Sequence, residues 1–126
     1  MNEISPEIHT GTIGELLVQL RLLQYGVQAA PPIKDSGNDL IAIKGKAFRA
    51  TQVKTTTRDT YSKANLPELY HILAVVHLVG NGKLIFLDKS RVFLIPKEDV
   101  DGLPTDVDRL KKYILTEELV DRLFSE

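Results

Sequence analysis

The sequence has no cysteine and no apolar run approaching the length of a membrane span. Without thiols there is neither a disulfide nor a thiolate-held metal, so any metal must sit on oxygen or imidazole ligands, which favours a hard ion such as Mg²⁺. A bilayer crossing needs about 20 consecutive apolar residues, so no membrane helix is expected. The first residues lack a basic stretch followed by an apolar one; no signal peptide is expected, and the expected compartment is the cytoplasm. A basic surplus is missing too. The net charge of −1 withholds the global cationic excess that many DNA-binding domains carry. There is no Gly-rich phosphate loop and no Gly-x-Ser-x-Gly elbow, which removes P-loop, dinucleotide-binding and serine-hydrolase readings.

What is present fits one ordinary globular domain spanning residues 1–126, with 43% hydrophobic and 26% charged residues. The charge is unevenly distributed. Between Lys44 and Lys63 stand six basic residues (Lys44, Lys46, Arg49, Lys54, Arg58, Lys63) against one acid, Asp59, a local balance of +5. Such a run is either a solvated face or a phosphate-binding stripe.

Apolar residues Ile13, Leu16, Leu17, Leu20 and Leu23 recur at three- and four-residue steps, predicting a helix over residues 12–24 that Gly26 ends. A short extended piece at 27–30 leads through Pro31-Pro32 and the Asp35-Ser36-Gly37-Asn38 cluster into a strand at 39–43. Gly45 turns the chain into a second strand at 47–55, so residues 39–55 form a hairpin. Residues 56–68 are polar, with a short helix expected near 65–70. The apolar run 71–79 reads as a buried strand, Asn81-Gly82 as a hairpin turn into a strand at 83–87, and 91–95 as one further strand. Residues 96–108 read as acidic loop. Thr116, Glu118, Leu119, Val120 and Leu123 predict a short terminal helix.

Gln52 and Lys54 are two apart on one strand, so both side chains leave the same face of the sheet, and Asp39 begins the neighbouring strand. A tight turn near Gly45 then brings a carboxylate, an amide and an ammonium to one end of the sheet. That trio suits phosphodiester hydrolysis. Asp39 is a hard oxygen ligand for Mg²⁺, the Gln52 carbonyl and an adjacent main-chain carbonyl extend the shell, and Lys54 orients or deprotonates a water and offsets charge on the transition state. The hydroxyls of Thr55 and Thr56 are candidate donors to phosphate, beside Lys44, Lys46, Arg49, Arg58 and Lys63. His71 and His77 lie six residues apart on a presumed strand, about 20 Å, too far to share an ion.

Gly14-Glu15 on the opening helix, Ser36-Gly37-Asn38-Asp39-Leu40-Ile41-Ala42 entering a strand, and Gln52-Val53-Lys54 on the next together resemble the PD-(D/E)XK nuclease superfamily over about residues 11–57. That group includes archaeal Holliday-junction resolvases, many restriction enzymes and some intron-encoded homing endonucleases. The resemblance implies an α/β, restriction-endonuclease-like αβββαβ core, with a mixed central sheet flanked by helices. It makes Asp39 the metal-binding aspartate, Gln52 the position usually held by Glu or Asp, Lys54 the motif lysine, and Glu15 a helix glutamate reaching the metal. Asn38 stands in place of the proline of the family name, and Gln52 in place of a carboxylate. Glutamine does occur there in some nucleases of this kind.

The resulting expectation is a Mg²⁺-dependent DNA endonuclease, with Mn²⁺ as substitute, working as a homodimer or larger symmetric oligomer so that two sites meet two strands. The apolar C-terminal half is the surface expected to pair. Two rivals stand beside it: a catalytically degenerate module of the same fold that grips DNA or a protein, and an interaction protein in which Asp39 and Lys54 form a plain ion pair. Glu15 also has two readings, since Thr12-x-x-Glu15 has the spacing of a capping box.

Overall fold

The computed structural model describes residues 6–33 and 39–126. Helix α1 runs Pro6–Leu23, six residues earlier at its start than the apolar spacing predicts. Proline at its head is favourable, because its missing N–H is one that the first turn leaves unpaired anyway. The early start removes the capping-box reading of Glu15: Thr12 lies inside the helix, its backbone N–H already within the ladder. Gly26 ends α1 with φ of +79°. Val27 donates to the Leu22 carbonyl and Gly26 to that of Leu23, both at 3.0 Å, a Schellman closure in which buried Leu22 and Val27 supply the apolar contact.

A five-stranded sheet follows in simple order: β1 (Gln28–Ala30), β2 (Leu40–Lys44), β3 (Ala47–Thr56), β4 (Ile72–His77) and β5 (Arg91–Pro96). Only β3 and β4 are parallel; the other neighbours run antiparallel. The β2–β3 hairpin closes Lys44 onto Ala47 through Gly45-Lys46. Gly45 alone carries positive φ, +60°, as a two-residue type II′ turn requires of its first residue. The expected loop cluster Asp35-Ser36-Gly37-Asn38, of which Ser36-Gly37-Asn38 carry part of the family resemblance, lies outside the described residues.

Alternation along the central strands fills two cores. Ile72, Ala74 and Val76 of β4 and Val92 and Leu94 of β5 pack with Leu17, Val18 and Leu22 of α1, with Leu119 and Val120 of the C-terminal helix α3 (Glu117–Leu123), and with Phe124 just after it. The intervening Leu73, Val75, Phe93 and Ile95 face the opposite layer, built from Tyr61, Tyr70, Val100 of the one-turn helix α2 (Lys97–Val100), Val107, Leu110 and Tyr113. The sheet is therefore mixed and covered on both faces, the α/β class expected. Thr116 caps α3, its hydroxyl accepting from Leu119 N at 3.2 Å.

Three local expectations do not hold. No helix occupies 65–70: Asn65 takes φ of +60° and Pro67 has no N–H to give, so the crossover from β3 to β4 is irregular. The Asn81-Gly82 turn forms, with Asn81 Oδ1 accepting from Lys83 N and Leu84 N, yet residues 83–87 make only a single bridge, Gly80 to Ile85, before turning again. The acidic stretch after Pro96 is not bare loop, since it holds α2 and a 3₁₀ turn at Val107–Arg109. In the apolar C-terminal half β4 and β5 are core, while Leu69, Leu84 and Leu87 stay exposed; on α1, Leu16, Leu20 and Leu23 are each more than half exposed. Among the described residues no helix is long and apolar enough to cross a membrane.

Candidate active site

β2 stops pairing with β3 at Leu40 and Thr51, while β3 continues to Thr56. Residues 52–56 of β3 are thus bonded to β4 on one side, and on the other no strand among the described residues pairs with them. Asp39, the residue just before β2, closes the first step of that edge. Its Oδ2 accepts from the backbone N of Val53 at 2.8 Å and from Gln52 Nε2 at 3.0 Å. A strand residue sends its N–H and C=O to the same side, so the Val53 carbonyl also faces this open edge. The main-chain carbonyl expected beside Gln52 is that of Val53, and the side it faces depends on where the hairpin ladder stops.

Helix α1 completes the corner. A cleft of about 540 Å³ is lined by Glu15, Thr10 and Gly11 of α1, by Asp39, and by Val53, Lys54, Thr55, Thr56, Thr57 and Arg58. Glu15 is delivered by an unusually close helix–strand approach. A Cβ on Gly14 would lie 1.9 Å from Thr55 Oγ1, so only glycine lets α1 reach β3 there. The sequence carries a trace of this: Gly11 and Gly14 both sit inside a helix, where each costs about 1 kcal/mol relative to alanine. Of the two, Gly14 marks a tight approach, whereas a Cβ on Gly11 would meet nothing within 4 Å. Burial, and then the charge of Asp39, raise the Glu15 carboxyl above its ordinary value. Two carboxylates thus face one cleft.

Lys54 leaves the same face of β3 as Gln52 and lines the cleft, and its Nζ donates to the Ala64 carbonyl of the crossover at 2.6 Å. It forms no ion pair with Asp39, so the plain structural pair does not describe this corner. Gln52 departs from expectation. It is 9% exposed, its nitrogen and not its oxygen is turned to Asp39, and Oε1 is buried with no hydrogen-bond partner among the described residues.

The basic stripe divides. Thr55, Thr56 and Arg58 line the cleft. Lys44, Lys46 and Arg49 stand toward the other end of the hairpin, with Lys44 about 17 Å along β2 from Asp39. Lys44 pairs with Asp121 at 2.8 Å, and the Lys46 backbone donates to Glu126. Arg49 is engaged within the fold: its guanidinium donates to the carbonyls of Leu123, Ser125 and Phe48 and lies over the Phe124 ring, tying down the end of α3. Lys63 is engaged too: its ammonium donates to the carbonyls of Val100, the last residue of α2, and Leu103 beyond it. His71 accepts from Ala50 N through Nδ1, and His77 Nδ1 meets Arg91 at 2.8 Å, so each has its own partner.

Among the described residues there is no group of three or more carboxylate and imidazole side chains able to hold a metal. The residues that could offer oxygens to one ion are Asp39, Glu15 and, through its carbonyl, Val53, all of which line the cleft. Two carboxylates and a neutral oxygen suit Mg²⁺, which keeps several waters and does not ask for an all-protein cage.

No protein-family model and no curated protein sequence matches this chain. Among solved structures, a bacterial homing endonuclease, I-Ssp6803I, superposes with a TM-score of 0.68 at 13% sequence identity, over 98% of this chain and 96% of that one. At that identity the likeness establishes the fold: this chain has the α/β architecture of a homing endonuclease.

Proposed function

We propose that this chain is a divalent-cation-dependent endonuclease that hydrolyses DNA phosphodiester bonds, of the PD-(D/E)XK type with glutamine at the second acidic position. The observation that carries the reading is the corner where Asp39, Glu15 and Lys54 line one cleft beside the open edge of β3. A cleft of that construction has carboxylates for a hard cation, a lysine for the nucleophile and hydroxyls for phosphate. The structural likeness to a homing endonuclease points the same way.

Asp39 and Glu15, with the Val53 carbonyl, would hold Mg²⁺ or Mn²⁺, which on binding polarises a phosphate and acidifies a water. Asp39 is fixed for this by two N–H donors on Oδ2, which direct Oδ1 elsewhere. Lys54 orients the attacking water and balances charge gathering on the phosphorus oxygens, and the Ala64 carbonyl holds its ammonium in place. Thr55 and Arg58 supply donors to the flanking backbone, while the Thr56 hydroxyl already donates to the Thr60 carbonyl at 2.8 Å. One cleft per chain requires two copies to cut both strands, and the exposed Leu16, Leu20 and Leu23 ridge of α1 is where we place a symmetric contact.

One observation favours a second reading. Because the Gln52 nitrogen faces Asp39, the chain is also suited to be a DNA-gripping module of the same fold without catalysis. Cleavage of supercoiled, linear, branched and single-stranded DNA separates the two. The nuclease reading expects cutting with Mg²⁺ or Mn²⁺, none with chelator, and a loss of at least about a hundredfold in Asp39→Ala with DNA binding retained. Binding without cutting on every substrate gives the module.

A further inference from the structure

Gln52 presents a buried carbonyl with nothing to accept from among the described residues and a nitrogen that holds Asp39. We propose that its amide has two settings: nitrogen toward Asp39 when the cleft holds no divalent cation, and oxygen toward the cation when one is seated on Asp39. The inference rests on reading Asp39 as a cation-binding residue and adds what the neighbouring position does in each state.

The first setting is the one observed. An ionised carboxylate only accepts hydrogen bonds. Turning Oε1 toward Oδ2, 3.0 Å from the present nitrogen, would press two electron-rich oxygens together. A bare Asp39 therefore dictates nitrogen inward. The consequence appears on the other side of the amide, where Oε1 is buried without a partner among the described residues. Buried polar atoms in folded chains are nearly always paired, so an orphan at a functional corner asks for a reason. Here the reason is that the amide serves a second state.

A divalent cation on Asp39 reverses the local electrostatics. It repels the positive end of an N–H dipole and attracts a carbonyl oxygen, so the favourable setting becomes oxygen inward. The change is small in shape: the amide's two ends are nearly the same size, and its terminal torsion is soft and roughly two-fold. Oε1 gives up no hydrogen bond by moving. The backbone N of Val53 still holds Asp39 at 2.8 Å, so the carboxylate keeps its place while the amide turns.

A glutamate at this position has only one of the two abilities. Ionised, it matches a cation but faces the charges of Asp39 and Glu15 when the cation is absent, giving three carboxylates at one corner. Glutamine makes the empty corner self-consistent and defers the oxygen to the loaded state. Gln52 is thereby a positioning residue for Asp39 before loading and a neutral ligand after it.

The test follows the side-chain amide of Gln52 in ¹⁵N-labelled full chain, assigned by loss of its signals in Gln52→Met, during titration with Mg²⁺ alone. Without the ion, one of its two protons should be shifted and protected from exchange by the carboxylate. At saturation that signature should vanish while the Val53 backbone amide stays protected. In parallel, Gln52→Glu should melt below wild type in chelator and gain at least about 4 °C more than wild type from saturating Mg²⁺. If the Gln52 signature persists at saturation while neighbouring amides respond to Mg²⁺, the two-setting proposal is overturned and the cation site stands. If no resonance near Asp39 responds to Mg²⁺, the cation site falls as well. Should Gln52→Glu fail to fold, the wild-type titration decides alone.

Discussion

Glu15 sits where burial and a neighbouring charge both resist its ionisation, and that has a measurable sign. Its carboxyl is raised above the ordinary value of 4.5, first by burial and then by Asp39. The folded chain therefore binds this proton more tightly than the unfolded one. Stability from that difference is fully present below pH 4.5 and is lost as pH rises through the folded value. Glu15→Gln should raise stability at neutral pH in chelator, by no more than about 1 kcal/mol because the pair is substantially solvated. At about pH 4 the two proteins should melt together. With Mg²⁺ the order should reverse, since the wild type keeps a ligand that the variant lacks. A difference equal at both pH values would show that ionisation is not its source.

At the scale of elements, the approach of α1 to β3 decides where Glu15 stands. Gly14→Ala forces a methyl against Thr55 Oγ1, Cβ and Cγ2 at 1.9 to 2.8 Å. Alanine is the better helix former by about 1 kcal/mol, yet overpacking of this kind costs about 1–3 kcal/mol. The expected outcome is net destabilisation in urea melts together with weaker Mg²⁺-dependent cleavage, and partial recovery when Thr55→Ala removes two of the three crowding atoms. Full stability in the single variant would show that the helix shifts freely and that the approach is not fixed. The hairpin was legible because everything that defines it is local: Gly45, the apolar alternation and the Gln52–Lys54 spacing place β2 and β3 to within a residue. The start of α1 was not, since apolar periodicity begins at Ile13 while the helix begins at Pro6. Residues 83–87 misread as strand because Asn81 bonds its own turn and the returning chain finds no ladder to join. Arg49 was illegible for a different reason. Its partners Leu123 and Ser125 lie more than 70 residues away, and they are carbonyls, which sequence patterns do not advertise.

For the whole molecule, the division of the basic stripe changes what nucleic-acid affinity should depend on. A net charge of −1 gives no general attraction, so binding must come from the few cationic groups at the cleft. Arg58→Ala should weaken DNA binding at low salt severalfold and lower its salt dependence by about one phosphate contact. Arg49→Ala should leave binding nearly unchanged and instead lower stability, by about 1–3 kcal/mol for lost charged hydrogen bonds. Filter binding across salt concentrations, paired with melts of both variants, reads the two effects separately. An Arg49→Ala protein that is fully stable but no longer binds would restore the continuous stripe.

The outer edges of the sheet carry one more consequence, for self-association. An unpaired strand edge is a template for another chain, and open-ended pairing of that kind leads to aggregates. β1 limits its edge by length and sequence: it has three residues and runs into Pro31-Pro32, which have no N–H to offer a newcomer. β5 is shielded differently, through the bridge from Phe93 to Ile114 and the bond from Leu115 N to the Val92 carbonyl. With both flanks blunted, the remaining stretch of open strand among the described residues is residues 52–56 of β3. There the cleft's charges and hydroxyls take the place of the blank edge that a stray strand would need, so the backbone left free for chemistry is also the backbone least suited to fibril growth.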